Sequence, residues 1–260
     1  MHHPVLRPAI VLAAAALTFT GCASTAGAPD ARRPVATDNG TFSGDLTVYA
    51  AASLQAVFDD MGRAFTAAHP EVRFRPVYDG SSTLATQLLE GAPGDVFASA
   101  DERNMSRLEE RALDPMLFAS NTLVIAVPAG NTGGVEELAD LGDVTTVLCA
   151  PEVPCGAASA TLLSRAGITV EPASLEQNVS AVLTKVATSE ADAGLVYATD
   201  VIGRADLQAI APEGADKVVN HYPVAALDDA PNADAAEAFV AFVLSDAGLG
   251  ILAEHGFGAP

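Results

Sequence analysis

Tryptophan is absent from this 260-residue chain and aromatic residues make up only 5% of it, which argues against a surface built to stack sugars or bases. Basic residues are scarce as well. Lysine and arginine number 13 against 33 aspartates and glutamates, giving a net charge of -20. Nucleic acid is a poor partner for such a chain, because binding it needs a basic footprint. Catalytic signatures are missing too: there is no GxSxG elbow, no GxGxxG after a strand and no GxxxxGK[ST] loop. His69, His221 and His255 stand in unrelated contexts, and no CxxC or HxxxH spacing offers a metal site. The chain therefore reads as a binding protein, not an enzyme, with no cofactor. An exported hydrolase using one of the serines is the remote alternative, and it lacks a recognisable base.

What is present begins with a leader. Arg7 sits in a short basic region, and Ala9–Leu17 is apolar but too short to span a bilayer and stay there. The run ends in Phe19-Thr20-Gly21-Cys22, which resembles a bacterial lipobox with Phe19 in place of the usual Leu. Residues 1–22 thus read as a lipoprotein signal peptide, with Cys22 as the lipidated mature N-terminus. Lipid would hold the chain on the outer face of the cell membrane without spanning it. An ordinary cleaved signal peptide leaving Cys22 as a free thiol is the alternative. Residues 23–43, rich in Ala, Gly, Pro, Ser, Thr and Asp, read as a flexible tether. Cys149 and Cys155 remain. In an exported protein this pair suggests a disulfide closing a small loop, with two buried thiols as the other reading.

Half of the residues are apolar and only 18% are charged, enough for a sizeable core. Short apolar runs alternate with helical patterns, the mark of α/β architecture. Strands are expected at Leu46–Ala50, Val72–Val77, Asp95–Ser99, Thr122–Val127, Val144–Leu148, Gly194–Tyr197 and Tyr222–Leu227. Between them, Ser53, Ser81 or Ser82, and Asp101 are expected to cap helices, and Gly167 to stop the helix that follows the cysteines. A small or hydroxyl residue at a helix start recurs at Ala51-Ala52-Ser53, Gly80-Ser81-Ser82-Thr83, Cys155-Gly156-Ala157 and Asn178-Val179. Helix starts carry unpaired N–H groups and partial positive charge, so several converging on one point bind an anion without Lys or Arg.

These motifs, with Gly91-Ala92-Pro93-Gly94-Asp95-Val96-Phe97-Ala98-Ser99-Ala100-Asp101, Ala193-Gly194-Leu195-Val196-Tyr197-Ala198-Thr199-Asp200 and the terminal Gly256-Phe257, resemble the molybdate-binding proteins of ABC transporters. The resemblance runs from about 45 to 258. It implies a two-lobed periplasmic-binding fold with a ligand cleft between lobes joined by two crossover segments. Lobe 1 would comprise 44–124 plus 225–260 and lobe 2 would comprise 125–224, with crossings near 122–128 and 222–227. It implies capture of molybdate or tungstate by neutral donors: the hydroxyls and N–H groups of Ser53 and Ser81, the N–H groups of Gly156 and Val179, and the phenol of Tyr197. Another tetrahedral oxyanion, sulfate or phosphate, is the alternative ligand. The partners implied are an ABC permease and, through the lipid anchor, a membrane; the chain itself is expected to be a monomer.

Overall fold

The computed structural model describes residues 42–260. The signal segment 1–22, Cys22 and nearly all of the tether 23–43 lie outside the described residues. Two five-stranded sheets organise the rest. The first contains β1 (Gly44–Ala51), β2 (Val72–Asp79), β3 (Val96–Ala98), β4 (Ala112–Asn121) and β10 (Asn220–Leu227), in the order β2-β1-β3-β10-β4. The second contains β5 (Leu123–Pro128), β6 (Thr146–Cys149), β7 (Ser174–Glu176), β8 (Ala193–Tyr197) and β9 (Leu207–Ile210), in the order β7-β6-β8-β5-β9. In both, the first three strands in this order run parallel, and the fourth is antiparallel to both its neighbours. Two α/β lobes of like topology result.

Helices α1 (Gln55–Ala68), α2 (Ser81–Leu89), α3 (Glu102–Ser106), α6 (Ala233–Val243) and α7 (Asp246–Glu254) belong to the first lobe. Helices α4 (Pro154–Ala166) and α5 (Val179–Ala187) belong to the second. The spacing of Val57, Phe58, Met61 and Phe65 puts all four on the buried face of α1. Phe65 meets Phe239 of α6 edge-on, with ring centroids 5.3 Å apart. Side chains of this size each contribute about 1.5–3 kcal/mol by leaving water. In the second lobe, Val182 and Val186 of α5 pack onto β8 at Gly194, where a Cβ would overlap Val182. Helix α4 begins with Pro154 in its first turn and ends at Gly167, whose φ of 69° is left-handed.

Several expectations shift. The residue range Ala112–Asn121 carries no strand signal, yet it forms β4 at the edge of the first sheet. Pro115 is tolerated at such an edge, and Leu113 and Met116 face solvent. The chain passes between lobes at Thr122 and again between Ile210 and Asn220. Strand β10 pairs with β4 from Asn220↔Asn121 onward, so residues 220–224 sit in the first sheet, and not in the second as the 125–224 boundary had it. Apolar periodicity marks where a strand is buried, but not which sheet it joins. The serines also differ from expectation. Gly80 occupies the cap position before α2, with Ser81 already helical. Ser53 lies inside a single 3-10 turn, Ala52–Leu54, that leads into α1.

Candidate ligand-binding site

Several elements bring their ends together where the lobes meet. From the first lobe come the turn after β1 and the start of α2; from the second, the starts of α4 and α5 and the end of β8. Ser53, Ser81, Val179 and Tyr197 all line the small cavity between them, which is too small for a sugar or a peptide. Gly156 is not among the lining residues, whereas Pro154 and Cys155 are. The N–H of Gly156 is already donated to Val153 O at 3.0 Å. Its lack of a side chain serves a different end, since a Cβ there would overlap Ala150 O. Cys155 stands at the second position of α4, where an N–H has no intrahelical acceptor. Its Sγ is bonded to Cys149, with Cα atoms 5.7 Å apart, so the disulfide fixes this wall of the cavity.

The hydroxyls are arranged as donors. Ser81 Oγ accepts from the Ala100 N–H at 3.0 Å, which leaves its own proton to point elsewhere. Ser53 Oγ lies 3.1 Å from Tyr222 Oη. When that phenol donates, the Ser53 proton is likewise available to a ligand. Tyr197 is 1% exposed, and its Oη is buried without a hydrogen-bond partner among the described residues. Such an orphan costs about 1–3 kcal/mol unless something else accepts from it. Burial pushes both tyrosines well above the ordinary phenol range, so both keep their protons. Sequence reasoning did not single out Tyr222 and Ala100, which hydrogen-bond the two serines. Tyr222 opens the strand expected at Tyr222–Leu227, but nothing local links it to Ser53.

No lining residue carries an ionisable acid or base of the Asp, Glu, Lys, Arg or His type. The carboxylates beside lining residues in sequence are engaged elsewhere. Asp79 Oδ1 accepts from Gly80 N–H at 2.7 Å and from Asn178 Nδ2 at 2.8 Å. Asp101 Oδ1 accepts from the Asn104 N–H at 2.8 Å as the cap of α3. The cavity is thus neutral and rich in donors, a combination suited to a fully deprotonated anion. Among the described residues, no group of three or more His, Cys, Asp or Glu is placed to hold a metal ion.

Residues 46–258 match the sequence profile of the bacterial extracellular solute-binding proteins. The chain belongs to this family. Among solute-binding relatives, it is 42% identical over 222 residues to the molybdate-binding protein ModA of Mycobacterium tuberculosis, covering 83% of this chain and 85% of that one. The periplasmic molybdate-binding protein of Azotobacter vinelandii superposes with a TM-score of 0.69 at 19% identity, over 83% of this chain and 99% of that one. The sulfate-binding protein SubI of Mycobacterium tuberculosis superposes with a TM-score of 0.66 at 16% identity, over 82% and 86%. These likenesses establish the two-lobed periplasmic-binding fold for this solute-binding protein. The fold is shared by receptors named for different oxyanions, so the ligand has to be argued from the site.

Proposed function

We propose that this chain captures molybdate, and with it tungstate, for an ABC uptake transporter. The observation that carries the reading is the orphaned Tyr197 hydroxyl, facing a cavity whose lining has donors but no ionised side chain. The 42% identity to a relative named for molybdate supports the choice of ion. Ser53 and Ser81 donate hydroxyls from the first lobe. The Val179 N–H, the Tyr197 phenol and the Cys155 N–H, in place of that of Gly156, donate from the second. A charge-assisted bond is worth about 1.5–3 kcal/mol, so on the order of six outweigh the cost of ordering and give submicromolar affinity. The acidic surface is no obstacle, because charge farther than about 8 Å is screened in physiological salt. An all-donor cavity also disfavours monohydrogen phosphate, whose proton needs an acceptor.

In the same reading the chain performs no catalysis. It meets its permease as a monomer, from a lipid anchor at Cys22 on the outer face of the membrane. Calorimetric titration of the tag-free mature protein with molybdate, tungstate, sulfate and phosphate tests the ligand. Tight molybdate and tungstate binding is expected; tight phosphate binding without any molybdate response would sink the assignment. Release of Cys22→Ala from the membrane fraction tests the anchor, and retention equal to wild type counts against it.

A further inference from the structure

Beside the cavity, two short stretches from different lobes face each other: Asp79-Gly80 at the end of β2, and Gln177-Asn178 ahead of α5. Asp79 Oδ1 accepts one hydrogen bond from its neighbour Gly80 and one from Asn178 Nδ2 across the cleft. The other end of the Asn178 amide, Oδ1, accepts from the Ala181 N–H at 2.9 Å and caps α5. Both ends of this one amide are therefore engaged, one on each lobe. The helix start it holds is the one that presents Val179 to the cavity.

Gly80 adds an independent observation. Its φ of -59° and ψ of 137° are open to any residue, so its own backbone does not demand glycine. The opposite lobe does. A Cβ on Gly80 would overlap the Gln177 carbonyl oxygen and lie 3.2 Å from Val153 Cγ1. Both of those atoms belong to the second lobe. A methyl group could be accommodated only if the lobes stood farther apart.

We propose that Asp79, Gly80 and Asn178 form an interlobe clasp that sets how far the cleft closes and thereby how long a captured anion stays. The inference rests on the reading of the cavity as an oxyanion site and assigns its residence time to residues other than the main donors. Gly80 and Asn178 line the cavity but the Asp79 carboxylate does not, so removing that carboxylate should leave the preference among oxyanions unchanged. Gly80 and Asp79 are positioning residues in this scheme.

The test uses the mature chain as wild type, Gly80→Ala and Asp79→Ala. Three quantities are measured: the ligand-free melting temperature, the molybdate dissociation rate by stopped flow, and the radius of gyration by small-angle X-ray scattering with and without molybdate. Gly80→Ala is expected to melt at or above wild type, because alanine fits this backbone and restricts the unfolded chain. It is expected to release molybdate about tenfold faster or more, the equivalent of one lost hydrogen bond or a little beyond. With molybdate present it should remain more expanded than wild type. Asp79→Ala should release molybdate, tungstate and sulfate faster by the same factor. Wild-type scattering in both variants overturns the clasp, whatever their melting temperatures; so does an unchanged dissociation rate. If wild type binds none of these anions, the oxyanion reading fails separately. The clasp is then decided by ligand-free scattering, where equal dimensions for Gly80→Ala and wild type overturn it and greater expansion supports it.

Discussion

Tyr222 Oη sits 3.1 Å from Ser53 Oγ, so a strand near the end of the chain orients a hydroxyl near its beginning. The two rings Tyr222 and Tyr197 lie 6.0 Å apart, one from each lobe, and both keep their protons. The result is a small set of neutral donors. Four consequences for the site and its surroundings can be measured.

Each serine hydroxyl should matter both to affinity and to the stability of the ligand-free chain. Ser53→Ala and Ser81→Ala are each expected to weaken molybdate binding roughly 10- to 150-fold, the range for one charge-assisted bond. Ser81→Ala also strips the Ala100 N–H of its acceptor in a buried setting, so it should destabilise the ligand-free chain by about 1–3 kcal/mol. Ser53→Ala takes a hydrogen-bond partner from the fully buried Tyr222 hydroxyl and should carry a cost of the same order. Calorimetry and thermal melts on the same samples separate the two effects.

Tyr197→Phe should move stability and binding in opposite directions. Removing an orphaned hydroxyl from a site this deeply buried leaves the ligand-free chain as stable as wild type or more so. The same change removes a donor to the anion. A ligand-induced rise in melting temperature smaller than that of wild type, starting from an equal or higher ligand-free value, is the expected pattern. An undiminished ligand-induced rise would remove Tyr197 from the donor set.

Asp200 provides a pH signature. Its carboxyl accepts from the Tyr197 N–H at 2.9 Å, and burial lifts it from 3.8 to about 7. Between about pH 4 and about pH 7 the unfolded carboxyl is ionised while the folded one holds its proton. The folded state binds more protons there, so stability falls as pH rises through this window and levels off above it. Thermal melts of wild type and Asp200→Asn across pH 4–8 should show wild type losing ground up to about 7 and the gap then holding constant.

The disulfide should support both fold and site. For so short a loop the chain-entropy estimate is about 2 kcal/mol, or roughly 4–8 °C in melting temperature for a domain of this size. Cys149→Ser/Cys155→Ser should show that loss, and weaker anion binding as well, because Cys155 lines the cavity. Reductant should reproduce both effects in wild type and neither in the variant.

The elements that could be read from sequence are those whose signals are local. Helix α4 announces itself by Pro154 at one end and Gly167 at the other, and β8 by an apolar run buried at every position. Strand β4 could not be read, because its outward residues and Pro115 mimic a loop until the neighbouring β10 supplies the ladder. The same holds at the site. Ser53 and Ser81 were visible as hydroxyls near helix starts, but their expected capping role was wrong. Their actual partners are Tyr222 and Ala100, which lie far away in sequence. Asp79 and Asn178 are separated by 99 positions, and no periodicity could have joined them. Gly156 stands in a donor motif by sequence, but the hydrogen bond that occupies its N–H is visible only once α4 has formed.

The placement of β10 between β3 and β4 has a temporal consequence. All strands of the second lobe lie within 123–210, a continuous stretch that can complete its sheet as soon as it has emerged. The first lobe cannot do so. Its earlier strands must wait, with a gap between β3 and β4, until residues 220–227 arrive to fill it. That late strand is also the one that brings Tyr222 to Ser53. During biogenesis, then, the half of the cavity made first in sequence is finished last in time, and the chain gains a competent trap only when nearly all of it has been delivered.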